Sequence, residues 1–133
     1  MFVHTSIRTK NVEKSIDFYT KHLNMKVLSR KEITQNNAEI VFLQDQDEEG
    51  CKLELTFYRN QKQFLQAEYE NRLFDHLGFE INAMNRTIKA MRKAGVTITD
   101  EPFRLSPTGP QIAFIEDPDG TLIELIETPK REN

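Results

Sequence analysis

Apolar and polar positions along this chain switch between the period of a strand and the period of a helix, and they do so twice. In residues 2–8, Val3, Thr5 and Ile7 alternate with His4, Ser6 and Arg8, which predicts a strand with one covered face. Val12, Ile16, Tyr19 and Leu23 then recur at helical spacing behind Asn11, whose short polar side chain suits an N-cap. Further strands are expected at 25–32, 38–44 and 51–58, with QDQDEEG as an exposed hairpin connection. In the last of these, Leu53, Leu55 and Phe57 alternate with Lys52, Glu54 and Thr56, so Glu54 faces away from the apolar side. Residues 59–74 read as a polar connection with enough Gln, Glu and Ala for a short helix.

The pattern then restarts. His76 opens an alternating strand with Leu77, Phe79 and Ile81 on its other face. NAMNRTIKAMRKAG predicts a helix with Ile88 and Met91 on one side and Gly95 as its terminator. Met84 and Met91 read as core packing and not as metal ligands. Strands follow near 96–99, 111–116 and 121–127, separated by a proline-rich loop, EPFRLSPTGP, and a DPDG turn. DPDG has the acidic start of a calcium loop but lacks its longer ligand series, so a tight turn is the expectation. Strand, helix and three strands, performed twice, predict an α+β fold of tandem βαβββ modules with mixed, curved sheets and helices on one face. A doubly wound dinucleotide fold would need regular strand–helix alternation, and no glycine-rich fingerprint is present. The modules span 1–58 and 75–128, joined by 59–74 within one domain of residues 1–133.

Composition narrows the function classes. The formal net charge is -3 with both signs interspersed, so no basic face points to nucleic acid, and no apolar run reaches membrane-spanning length. The start, MFVHTS, carries neither a basic leader nor a cleavable apolar segment, which points to the cytoplasm. Cys51 is the only cysteine, so neither an internal disulfide nor a cysteine metal cage can form. Beside Gly50 at a strand entrance it is expected to be a small buried thiol, with a reactive role as the alternative.

The candidate chemistry lies in the repeat itself. His4 and Glu54 are 50 residues apart, His76 and Glu124 are 48 apart, and each sits in a strand-like apolar stretch. Two half-chains thus offer the same two ligand types at matching points, the pattern of a duplicated module holding one divalent ion. The competing reading is two charged sheet edges whose similarity reflects duplication alone. Two imidazoles and two carboxylates suit a borderline ion, nickel or zinc first and cobalt next, one per site with positions left open for substrate. A two-histidine, one-carboxylate oxygenase is the neighbouring alternative, but its chemistry needs the position that a fourth protein ligand fills.

The runs HTSIRTKNVEKSIDFYTKHLNMKVL, LELTF, DHLGFEI and IAFIEDPDGTLIELIE resemble those of the glyoxalase I (lactoylglutathione lyase) family, in the vicinal-oxygen-chelate or glyoxalase–bleomycin resistance–dioxygenase superfamily. The resemblance covers essentially residues 2–127 and includes all four metal positions. It implies the vicinal-oxygen-chelate fold, a homodimer with metal sites shared between subunits, and isomerisation of a hemithioacetal formed from methylglyoxal and glutathione. By the same resemblance Glu124 is the leading general base, Glu54 the opposite carboxylate and a second proton-transfer group, and His4 and His76 metal ligands. Arg8 aligns with an arginine that engages a carboxylate of glutathione, and Arg72 with a second anion-binding arginine of some members; a solvated surface role is the alternative for each. Tyr58 stands where the family has an asparagine, and SPTGPQ lacks basic residues found in some members, which leaves open whether the thiol is glutathione or another small thiol. Other metal-dependent enzymes of the superfamily (dioxygenase, isomerase or thiol transferase), or a non-catalytic drug-binding protein, are the remaining alternatives.

Overall fold

The computed structural model describes residues 1–65, 68 and 70–129, and the chain divides into two compact units, Met1–Gln66 and Ala67–Asn133. In the first unit, strand β1 (His4–Arg8) leads into helix α1 (Val12–His22), then β2 (Met25–Ile33), a 3-10 turn (Thr34–Asn36), β3 (Ala38–Asp45) and β4 (Lys52–Tyr58). The second unit repeats the order with β5 (Leu77–Glu80), α2 (Met84–Lys93), β6 (Thr97–Arg104), β7 (Gln111–Glu116) and β8 (Leu122–Glu127). Each unit forms a four-stranded mixed sheet, ordered β1-β4-β3-β2 and β5-β8-β7-β6, in which only the first and last strands of the module run parallel. Those two strands are joined through a helix and two further strands, so they can pair side by side in the same direction. This is the α+β fold of tandem βαβββ modules expected from the alternation.

Local chemistry accounts for the helix ends. Asn11 caps α1 by accepting the amide of Lys14 through Oδ1 at 3.1 Å. The buried stripe of α1 is Val12, Ser15, Phe18 and Tyr19, whereas Ile16 is only half-buried. Ser15 can sit inside because its hydroxyl meets that of Thr9 at 2.6 Å, so no polar group is stranded. Helix α2 ends in a Schellman arrangement: Gly95 has φ +83°, its amide reaches Arg92 O at 3.1 Å, and the Val96 amide reaches Met91 O at 3.0 Å. Met84, Ile88 and Met91 are buried against β6 and β8, with Ala113, Ile115, Ile123 and Leu125 completing that core. In the first unit Leu43, Leu53 and Leu55 are buried, as are Phe18 and Tyr19 of α1.

Four expectations need correction. His76 immediately precedes its strand, which the backbone enters at Leu77. β6 runs through Pro102 to Arg104 instead of ending near residue 99; it is an edge strand with register breaks between Ile98 and Asp100 and between Asp100 and Phe103, where a residue without an amide hydrogen is tolerated. Cys51 is exposed, because it precedes β4 at the surface and its thiol only approaches Lys52 O, at 3.5 Å. Part of the short helix expected in 59–74 lies outside the described residues, and the described ones there form turns, bends and irregular chain. The DPDG turn closes as expected: Asp117 Oδ1 accepts the amides of Asp119 and Thr121, both at 2.9 Å.

Candidate metal centre

The parallel pair in each sheet places a histidine and a glutamate by the same offset. In the first unit Ser6 registers with Glu54, so His4 lies two residues upstream on the same face of β1. In the second, Gly78 registers with Glu124, and His76 again lies two residues upstream. His4 Nε2 is 3.6 Å from Glu54 Oε2, and His76 Nε2 is 2.9 Å from Glu124 Oε2. Each glutamate is further flanked across the antiparallel pair by a phenylalanine, Phe42 opposite Glu54 and Phe114 opposite Glu124. Both rings meet the histidine edge to face, with centroids 5.3 Å apart for His4–Phe42 and 5.6 Å for His76–Phe114. The repeated unit is therefore a histidine, a glutamate and a phenylalanine, which confine the imidazole and leave Nε2 toward the carboxylate.

Chemistry at His76 bears on what sits between the paired atoms. Its Nδ1 is 2.6 Å from Asp75 Oδ1, so both ring nitrogens face a carboxylate oxygen. A neutral imidazole has one N–H and can donate to only one of the two; a divalent ion at Nε2, with the Nδ1 proton on Asp75, would satisfy both contacts. Both histidine–glutamate separations are short enough for the two donors of a pair to face one divalent ion. The donor set fits a divalent metal by its chemistry. Within either unit only two of the expected ligands meet, and among the described residues no group of three or more His, Cys, Asp or Glu is arranged to hold an ion.

The other expected site residues divide between the units. Arg8 continues the face of His4 and Ser6, and its guanidinium carbon lies 4.6 Å from the centroid of the Tyr58 ring. Arg72 is turned onto its own loop, with Nε donating to Glu68 O at 3.2 Å and Nη1 to Asp75 O at 3.5 Å, one residue before His76. Val3, Leu28, Phe42, Ser29 and Lys52 line, together with His4, a recess of about 250 Å³. The sequence reading passed over Phe42, Phe114, Asp75, Ser6 and Thr56. The two phenylalanines were detectable in the parallel runs VFLQD and AFIED.

Comparison with known proteins identifies the family. A family model described as the glyoxalase/bleomycin resistance protein/dioxygenase superfamily matches residues 1–125. The chain belongs to this superfamily. It is 33% identical over 127 residues to a Vibrio cholerae protein named "Probable lactoylglutathione lyase", covering 94% of this chain and 88% of that one. It is 32% identical to the lactoylglutathione lyase of Escherichia coli O157:H7, covering 94% and 90%. The structure of the trypanothione-dependent glyoxalase I of Leishmania major superposes with a TM-score of 0.77 at 29% identity, over 96% of this chain and 86% of that one. The protein is an enzyme of the lyase type typical of these relatives. Metal dependence is general in the family. No described helix is long and apolar enough to cross a membrane.

Proposed function

We propose that this protein is a metal-dependent glyoxalase that isomerises a hemithioacetal of a 2-oxoaldehyde and a small thiol to the 2-hydroxyacyl thioester. The observation that carries this reading is the identical strand offset of His4–Glu54 and His76–Glu124, with a phenylalanine behind each pair. The four residues would hold one ion, nickel or zinc first and cobalt next, and the ion when bound supplies Lewis-acid polarisation of substrate oxygens. Glu124 would take the proton from the carbon bonded to sulfur and return it to the neighbouring carbon, while the hydroxyl proton moves between the two oxygens. Glu54 is the opposite ligand and a second group able to carry that hydroxyl proton. Reactant and product are isomers, so no oxidant or reductant is consumed.

Arg8, stacked on Tyr58, keeps its guanidinium hydrogens available for a carboxylate of the thiol carrier, and Arg72 is proposed as a second anion contact. The carrier itself differs among the relatives, since one is named for glutathione and another is described as trypanothione-dependent. We place the active protein in the cytoplasm as a homodimer with shared sites. The test is to load metal-stripped protein with nickel or zinc and follow thioester formation from methylglyoxal with glutathione, trypanothione, cysteine and cysteamine. Metal-dependent thioester formation is expected, with carboxylate-bearing or trypanothione adducts ahead of cysteamine. Loaded protein that forms no thioester from any of the four overturns the proposal.

A further inference from the structure

The two half-sites differ at the carboxylate. Glu54 Oε1 lies 3.0 Å from Ser6 Oγ and 2.9 Å from Thr56 Oγ1, and the two hydroxyl oxygens are 3.0 Å apart. Two hydroxyl protons serve three contacts, so either both hydroxyls donate to Oε1 or one of them, Ser6 or Thr56, donates to Oε1 while the other donates to its neighbour. In both cases Oε1 is engaged, and Oε2 is the oxygen turned to His4. The residues at the matching places around Glu124 are Gly78 and Ile126, neither of which has a hydroxyl. Among the described residues the Glu124 carboxylate has His76 as its hydrogen-bonding partner, through Oε2.

From this asymmetry we infer that Ser6 and Thr56 are positioning residues that clamp Glu54 as a fixed, single-oxygen metal anchor, leaving Glu124 as the carboxylate free to reorient. The inference rests on the metal role proposed above for Glu54. A carboxylate held by two hydroxyls has lost its side-chain freedom before the ion arrives, which raises affinity without a new ligand. An unclamped carboxylate can turn between ligand and base without breaking hydroxyl contacts, which proton transfer at carbon requires of Glu124.

The test measures nickel affinity in solution, without substrate, by competition with a chromophoric chelator. Ser6→Ala lies at an exposed position and Thr56→Val preserves shape at a buried one, and each is expected to weaken nickel binding about 10–100-fold. Thr56→Ser keeps the hydroxyl and is expected to bind close to wild type. Unchanged affinity in both Ser6→Ala and Thr56→Val overturns the clamp, as does a loss in Thr56→Ser equal to that in Thr56→Val, which would assign the effect to packing. Should Thr56→Val fail to fold, Ser6→Ala decides the matter alone. Because no substrate is present, the clamp can fail while the assigned reaction stands, whereas a wild-type chain that takes up no metal overturns both.

Discussion

Glu124 and Glu54 have the same side chain, similar strand neighbours and different surroundings, and surroundings decide what a carboxylate can do. Glu54 is tied by Ser6 and Thr56, while Glu124 meets His76 at 2.9 Å through one oxygen. Replacing Glu124 by Gln preserves size and removes the base, so in metal-loaded protein turnover should fall about 10²–10⁴-fold with folding intact. Steady-state kinetics on a variant whose metal content has been verified checks this, and undiminished turnover rejects Glu124 as the base. At this scale the chain was half legible. Alternation shows which way His4 and Glu54 face, but nothing in the sequence marks Asp75, whose carboxylate meets Nδ1 of His76. Alternation put Ser6 and Thr56 opposite the apolar faces of their strands, but their contact with Glu54 depends on a strand register that one sequence does not display.

At the scale of elements, the start of α2 shows how tertiary contacts complete a local design. Ala83 stands at its N-cap with φ 53°, a left-handed conformation unfavourable for a residue with a Cβ, and it has no capping side chain of its own. Glu127, at the end of β8, supplies the cap with both carboxylate oxygens, accepting the amides of Ala83 and Met84 at 3.0 Å each. Two opposite shifts in urea unfolding should follow. Ala83→Gly relieves the backbone and should stabilise the protein by about 0.5–1 kcal/mol, while Glu127→Ala bares two amides and should cost about 1–2 kcal/mol. A Gly substitution that destabilises, or a neutral Glu127→Ala, contradicts this account. The helices and most strands were visible in the sequence because their buried faces repeat at simple periods. β6 was cut short because proline reads as a loop signal, yet Pro102 lies on a sheet edge where its missing hydrogen costs little. Cys51 was expected inside because thiols are usually buried, but β4 begins one residue later.

At the scale of the molecule, each module provides one histidine and one glutamate, and an ion of the proposed kind needs both sets. The repeat was legible from the first reading, since the pairs recur at separations of 50 and 48 residues; how copies assemble around them was not, because a half-site has the same sequence whichever half completes it. We propose that the first module of one chain completes the second module of its partner. The most direct measurement is made on a heterodimer purified through two different affinity tags, one chain carrying Glu54→Gln and the other Glu124→Gln. Shared sites put both defects into one centre and leave the second with a full set of His4, Glu54, His76 and Glu124, so each heterodimer should recover up to about half of wild-type turnover. A metal-loaded heterodimer as inactive as either parent would contradict the account, for it would mean that each centre is built from a single chain.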